Sequence, residues 1–556
     1  MKKILLTALV LSSLVSCNLD REPYDGAITD QVVVTETGLE QFLNGIYSKL
    51  SYGATEYVGN SASLNLYRAG IFGADEIHMS SASSDDLSQF YNYLRNASGA
   101  RSNAVWNDGL QAVNATNAIF ENLKEGKSAA LDHMLGEAYY LRAFSNFAML
   151  QLYSFPYSQG QSNLGIPLKK TSSIDERPVR STVGESYNAV VEDLLKAETL
   201  MAGDSKNNIK GTQAAAQALL ARVYLYMENN DKALEYANKV IGSGRYTLLS
   251  KEALPTYAQA TPENNAETIF AFRVENKPGQ YAAGSMLGSM FAVIDNAGWG
   301  EMYAASTYLQ TVKRFPQDVR NQFITPDYTL DKAGKKTPVV YWTVFNAKAN
   351  RYEYAFYNAT LDAAGKYVSF VKDGTTYPIV EEPSVYGGAN YMRYYATIGG
   401  VKQYLSQDYA LNNRGGFPKF YINKVSYQEK IGHLFSPIIS RLGELYLIRA
   451  EVAAKKNDVA TALAQINIIR KRAGAPEYTS VPTGKTILDL VLEERWVELS
   501  FEGHRKFDLL RNKKSIDRSF AGISLSKFTI NPGDPETIQF VPQREVTLQP
   551  ELQQND

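Results

Sequence analysis

Two glutamates one helical turn apart, Glu494 and Glu498, come nearest to acid–base chemistry in this 556-residue chain. Glycoside hydrolysis needs two carboxyl groups flanking the scissile bond, about 5–5.5 Å apart for retention and about 6.5–9.5 Å apart for inversion. Positions i and i+4 of one helix stand side by side on the same face, which leaves no room for a sugar ring between them. Arg495, Arg505 and Lys506 lie close in sequence. Ion pairing is therefore the expected role of this pair, and hydrolysis is not.

The four histidines, His78, His133, His433 and His504, never fall at i, i+3 or i+4 to one another, so no histidine metal cluster is expected. Cys17 is the single cysteine, which excludes disulfides within the chain and cysteine zinc sites. It follows Lys2, Lys3 and an apolar run over residues 4–15 that is too short to span a bilayer as a helix. Leu14-Val15-Ser16-Cys17 resembles the bacterial lipobox. Residues 1–16 are then expected to be a lipoprotein signal peptide, with Cys17 acylated and its thiol consumed by lipid. One acyl chain holds a protein only marginally, whereas two or three anchor it stably. Without Lys2 and Lys3 the chain carries 55 basic and 58 acidic side chains and no basic block, which gives nucleic acid no footprint. The Gly-Gly pairs at 387–388, 399–400 and 415–416 neither open a helix nor precede Lys-Ser/Thr, so they read as turns and not as phosphate loops.

Binding chemistry is better represented than catalysis. The 37 tyrosines supply rings with both an apolar face and a hydroxyl. Trp106, spaced with Leu110 and Val113, and Trp496, beside Leu492 and Leu499, fit apolar helix faces and are expected in the core. Trp299 differs. In "DNAGWGEMY" (295–303) glycines bracket a large ring in a polar loop with no apolar face to bury it.

The elements that must position such residues are mostly helical. Residues 17–35 lack periodicity and read as an extended tether. Apolar periodicity predicts helices from just after Thr37, over 103–123, 132–153, 183–201, 212–229 and 231–241. "AAAQALLARVYLYMENNDKALEYANKVI" (214–241) pairs two helices across an Asn-rich turn. "LGELYLIRAEVAAKKNDVATALAQINIIRKRAG" (442–474) repeats that grammar about 230 residues later, so both look like tetratricopeptide-type pairs that bury their apolar faces by stacking. Arg142 and Glu137, like Arg449 and Glu451, interrupt apolar helices and are expected to be paired between helices. The stretch 250–430 is rich in Gly, Asn and Tyr. "PVVYWTVF" (338–345) and "YVSFVKDGTTYPIV" (367–380), with Asp373-Gly374 at a turn, predict loops and short hairpins set into the helical frame.

Several segments, taken in order, resemble the SusD/RagB outer-membrane lipoproteins of Bacteroidetes: "LNGIYSKL" (43–50), "GADEI" (73–77), "GEAYYLRAFSNFAMLQLYSFPY" (136–157), "PVRSTVGESYNAVVEDLLKAE" (178–198), "RLGELYLIRAEVAA" (441–454), "INIIRKRAG" (466–474), "LEERWVELSFEGHRKFDLLR" (492–511) and "VPQREVTLQPELQQND" (541–556). The central stretch matches little beyond "FPQDVRNQF" (315–323), and Ser154-Phe155-Pro156 replaces the family's glycine-aspartate turn.

The resemblance implies a mainly α fold: one SusD-like domain over 36–556, with a tetratricopeptide-like helix-pair scaffold (about 36–250 and 430–515), a loop- and strand-rich ligand-binding insertion (about 250–430) and a C-terminal segment (516–556). It implies a non-enzymatic, cofactor-free surface protein that captures oligosaccharides, or in some members peptides, and closes over a SusC-like TonB-dependent β-barrel. A lipid-anchored adaptor without a small ligand is the other reading. In such proteins the loop comparable to 295–303 and the stretch after the "ADE" motif supply an arc of rings. By position the latter is "SQFYNYLRN" (88–96), so Tyr91, Asn92 and Tyr93 join Trp299 and Tyr303 as expected ligand contacts. Trp342, Tyr394 and Tyr395 are further candidates from the strand-rich region.

Overall fold

The computed structural model describes residues 32–53, 58–83 and 86–556. The expected signal peptide, Cys17 and nearly all of the tether lie outside these residues. The end of the tether does not: Val33 is fully buried, so the chain is already packed on the domain before the helix that opens at Glu36.

That helix, α1 (Glu36–Tyr52), starts on a Thr35 cap. Then follow α2 (Ala62–Phe72), α3 (Ala100–Asn122), α4 (Ala129–Tyr153), α5 (Val183–Leu200), α6 (Gln213–Tyr226) and α7 (Asn230–Gly242). A short α8 (Ser306–Val312) sits in the strand-rich region, and α9 (Leu442–Lys455), α10 (Val459–Arg472), α11 (Ile487–Glu498) and α12 (Arg505–Arg511) complete the frame. Side-chain caps fix many of the starts. Thr182 with Glu185 and Thr486 with Asp489 form reciprocal capping boxes on α5 and α11.

The two repeated helix pairs share one turn. In α6–α7, Glu228 is left-handed (φ 60°), the Asn229 N–H returns to the Tyr224 carbonyl, and the Asn229 side chain caps the next helix. In α9–α10, Asn457 (φ 57°), Asp458 and the Ala453 carbonyl do the same. The second pair then packs on the first through α7 and α9, so helices far apart in sequence share one core.

Three of the four charges expected to pair find partners on another helix. Arg142 of α4 grips Asp193 of α5 at 2.6 and 2.8 Å, Glu137 accepts from the Tyr47 hydroxyl at 2.6 Å, and Glu451 pairs with Arg511. Arg449 is only half-buried and lies near the Tyr446 ring.

Glu494 and Glu498 are structural, but with partners distant in sequence. Arg320 reaches both glutamates (2.7 and 3.1 Å), Arg470 holds Glu494, and Arg441 and Arg472 hold Glu498. The nearby cations go elsewhere: Arg495 to Asp508 and Arg505 to Asp75. Through Glu267, Asp318, Glu502 and Lys424 the network joins five cations to five carboxylates, all essentially out of water. Such burial is tolerable only when every charge is paired. Gly443 makes room for it, since a Cβ there would lie 2.5 Å from Arg441 Nη1 and 2.6 Å from Glu267 Oε1.

The strand-rich region corrects the expectation of loops and short hairpins. β1 (Ile77–Met79) precedes this region, which besides β2 (Thr268–Ala271) and β3 (Met302–Ala304) contains β4 (Pro338–Asn346), β5 (Arg351–Leu361), β6 (Tyr367–Lys372), β7 (Thr375–Pro378), β8 (Val380–Tyr386), β9 (Ala389–Ile398) and β10 (Val401–Tyr409), the last seven forming one antiparallel sheet in the order β7-β6-β5-β4-β10-β9-β8. Only Ile379 separates β7 from β8, yet these are the two outer strands. The sheet must therefore be rolled until its edges meet. Lys366 reaches Glu381 of β8 at 3.1 Å, and within the roll the Tyr367 hydroxyl of β6 donates to the Asp408 carbonyl of β10 at 2.7 Å. Val340, Trp342, Phe370, Ala396 and Leu405 fill the interior of the roll, while Tyr341, Tyr354 and Phe356 on its outer face pack on the main core. The turns at Asp373-Gly374, Gly387-Gly388 and Gly399-Gly400 all have two positive φ angles, the type I′ geometry that a twisted hairpin requires.

Candidate functional site

Trp299 stands where β1 and β3 bring the "GADEI" segment and the "DNAGWGEMY" loop together. Met79 pairs with Met302, and the Ser80 N–H and hydroxyl both donate to the Glu301 carbonyl at 2.9 and 2.8 Å. The acids of "GADEI" face away from the loop. Asp75 takes Arg505 bidentately at 2.9 Å, and Glu76 accepts the Phe501 N–H at 2.5 Å. Burial pushes the Glu76 carboxyl up to about 8. Both acids thus fasten this edge to the turn after α11.

The loop itself is over-determined. Ile294 and Ala297 exchange two hydrogen bonds of 2.9 Å around Asp295 and Asn296, both left-handed, which is again a type I′ turn. Gly298 (φ 94°) follows with no space for a side chain, because a Cβ would run into the His433 ring. His433 Nε2 lies 2.9 Å from the Ala297 carbonyl and, facing an acceptor, must carry the proton. Burial lowers the His433 pKa and keeps the ring neutral. The N–H groups of Trp299 and Gly300 both donate to the Ser289 carbonyl, at 2.7 and 3.0 Å. Arg414 donates to the Trp299 carbonyl at 3.0 Å and to Glu301 at 2.5 Å.

The result is an indole fixed by its edge. Nε1 donates to the Gly284 carbonyl at 2.9 Å, while 58% of the residue remains in water. Val293 beside it is 44% exposed. The same loop borders a recess of about 460 Å³ whose wall includes Val293, Asp295, Gln322, Tyr421 and Asn423. Trp299 itself does not line the recess, but a fixed, exposed ring on the same loop suits a ligand with apolar faces and a hydroxyl rim. The desolvated hydroxyls regain hydrogen bonds at little net gain, so the ring faces contribute most of the affinity.

The other expected contacts are placed differently. Tyr91 is fully buried beneath the Arg518 guanidinium, 4.4 Å from its ring centroid. Tyr93 is 7% exposed, left-handed, and donates to the Gly73 carbonyl. The ring-amide-ring pattern ends a short helix, Leu87–Asn92, whose last turn sends both rings inward; Asn92 between them is half-buried. Tyr303 is fully buried, its hydroxyl donating to the Gly300 carbonyl at 2.8 Å, and burial pushes its phenol up to about 12. It supports the Trp299 loop from below and offers no face to a ligand. Trp342, 8% exposed, stacks on Tyr357 inside the rolled sheet. Tyr394 is half-buried and packs toward the same interior. Tyr395 is half-buried on the outer face, 6.3 Å from the Tyr404 centroid. Among the expected tryptophan and tyrosine contacts, Trp299 is the most exposed, while Trp342 and Tyr394 are also among the residues lining a larger cavity of about 840 Å³. Arg414 and Tyr421 carried no sequence signal, since they reach the loop from about 120 residues away.

Comparison with known proteins decides the family. Residues 266–556, more than half of the chain, match the family model described as "SusD family", and residues 19–225 match one described as "Starch-binding associating with outer membrane". The chain belongs to the SusD family. "SusD-like protein P25" of Formosa agariphila is 23% identical over 422 residues, 73% of this chain and 69% of that protein. "SusD-like protein P2" of the same organism is 24% identical over 250 residues, 44% of this chain and 47% of that protein.

Solved SusD-superfamily structures share the fold. One from Bacteroides thetaiotaomicron has a TM-score of 0.69 at 23% identity, covering 94% of this chain and 100% of that one. A "SusD-like carbohydrate binding protein" from Bacteroides vulgatus has a TM-score of 0.63 at 16% identity, covering 93% and 97%. Among the described residues of this SusD-family chain, no helix is long and apolar enough to cross a membrane.

Proposed function

We propose that this SusD-family protein is a surface-exposed outer-membrane lipoprotein, anchored through Cys17, that captures oligosaccharides on the Trp299 plate and hands them to a SusC-like TonB-dependent β-barrel. It acts as a binder and not as an enzyme: the carboxylate pair nearest to acid–base chemistry in sequence, Glu494 and Glu498, is locked in buried ion pairs. The tetratricopeptide-like helix pairs serve as the rigid frame, and their outer faces as the surface toward the barrel. The observation that carries the reading is the indole of Trp299, held by a hydrogen bond at its edge with 58% of its surface left in water. A large ring fixed in place and left open loses little entropy when a flat apolar face settles on it. The family match and the carbohydrate-binding relative support the ligand class.

An oligosaccharide array probed with the wild-type protein and with Trp299→Ala tests this. Hits that vanish in the variant support the reading. An array without hits, together with native mass spectra showing heterogeneous bound peptides, would replace sugars by peptides as the cargo.

A further inference from the structure

A second and larger cavity lies away from Trp299, between the outer face of the rolled sheet and α8. Its volume is about 840 Å³, within the about 300–1,000 Å³ usual for small-molecule sites. Three cations line it, Lys313, Arg314 and Arg393, and no aspartate or glutamate does. The carboxylates that pair with them are not among the lining residues, and two of the three are shared. Asp408 holds Lys313 at 2.9 Å. Glu493 holds both Arg314 (2.7 Å) and Lys485 (2.6 Å), and Glu382 holds both Arg393 (3.6 Å) and Lys402 (2.6 Å). Five cations therefore share three carboxylates, and Arg314 and Arg393, whose partners are shared with Lys485 and Lys402, line the cavity beside Lys313.

The same wall carries rings. Tyr404 is 38% exposed, with the Arg393 guanidinium 3.4 Å from its ring centroid, and Tyr391 is half-buried. Amide and hydroxyl groups of Gln310, Asn321 and Ser406 complete the lining. Rings that take an apolar face, amides that take hydroxyls and guanidinium groups that take a planar anion in fork geometry together describe one ligand chemistry.

We propose that this cleft is a second saccharide site, selective for oligosaccharides bearing carboxylate or sulfate groups. The sugar part of the assignment rests on the proposed function, whereas the preference for anions rests on the cleft alone. Arg393 and Lys313 would meet the anion and Tyr404 the ring of the same sugar unit.

The test is calorimetric titration of wild-type protein, Arg393→Gln, Lys313→Gln and Trp299→Ala with a trigalacturonate, a sulfated trisaccharide and an uncharged trisaccharide. Arg393 and Lys313 side chains are about one-third exposed, so both variants should fold. The expected result is binding of at least one anionic ligand, weakened about tenfold by each cation variant, as the loss of one charge-assisted hydrogen bond implies, weakened again by raised salt, and still detected in Trp299→Ala. Whichever anionic trisaccharide binds identifies the charged group. Absence of anionic binding, or anionic binding unaffected by both cation variants, overturns the proposal. Loss of uncharged-sugar binding in every protein would instead count against the Trp299 reading.

Discussion

Replacing Trp299 by alanine should weaken oligosaccharide binding by a calculable amount. A tryptophan exposes at most about 250 Å², so 58% exposure leaves about 145 Å² in water. A sugar on one ring face covers about half of that, about 70 Å², worth about 25 cal/mol per Å². The loss is about 2 kcal/mol, or about twentyfold in Kd. The perturbation is local, because the side chain's one hydrogen bond, to the Gly284 carbonyl, contributes only about 0.5–1.5 kcal/mol to folding. Trp299→Phe should recover most of the affinity without that bond. Isothermal titration with an array hit, alongside far-UV circular dichroism of each variant, provides the measurement. A folded Trp299→Ala protein binding within twofold of wild type would refute the stacking argument.

Three further outcomes follow from the buried charges. Arg441→Met removes a cation that serves Glu267, Glu498 and Glu502; breaking such a pair should cost about 3–5 kcal/mol, read as a lowered denaturation midpoint. Burial disfavours the charged form of these carboxylates, but the facing cations prevail and hold the Glu502 carboxyl down at about 2, while burial holds His504 down at about 4. Glu502 stabilises the fold above its unfolded value and loses this contribution as pH falls toward 2. His504 takes up a proton more readily when unfolded, below about 6.5, so both make stability fall with acid, measurable as a melting temperature that drops steadily from pH 6 to pH 3. Glu76 runs the opposite way. Its raised value of about 8 gives stability that is full below the unfolded carboxylate range and lost as pH rises through 8. Glu76→Gln should therefore melt higher than wild type at pH 9, with the gap closing by pH 5.

How much of this was legible in the sequence depends on whether the deciding contact is local. Helix starts were readable to within a few residues because caps such as Thr182 with Glu185 lie beside the turns they fix. The repeated turn at Glu228-Asn229 and Asn457-Asp458 was readable for the same reason. Trp299 could be picked out because flanking glycines and polar neighbours left it no apolar face. The Gly-Gly pairs at 387–388 and 399–400 were recognisable one by one as turns, but not as corners of one rolled sheet, since that depends on β4 pairing with β10 more than 60 residues away. Tyr91 and Tyr93 misled for a related reason. Whether a tyrosine packs inward or faces solvent was set by Arg518, over 400 residues on, and no local pattern encodes that partner. The partners of Glu494 and Glu498 were hidden likewise, with Arg320 arriving from another part of the chain.

Fluorescence offers the most direct test of the central claim, because the chain has 4 tryptophans and the other three, Trp106, Trp342 and Trp496, are no more than 8% exposed. Iodide quenching therefore reports on Trp299. Saturating oligosaccharide should shield that emission from iodide and shift it to shorter wavelength, with no response in Trp299→Phe. An oligosaccharide that binds tightly while Trp299 stays fully quenchable would contradict the account.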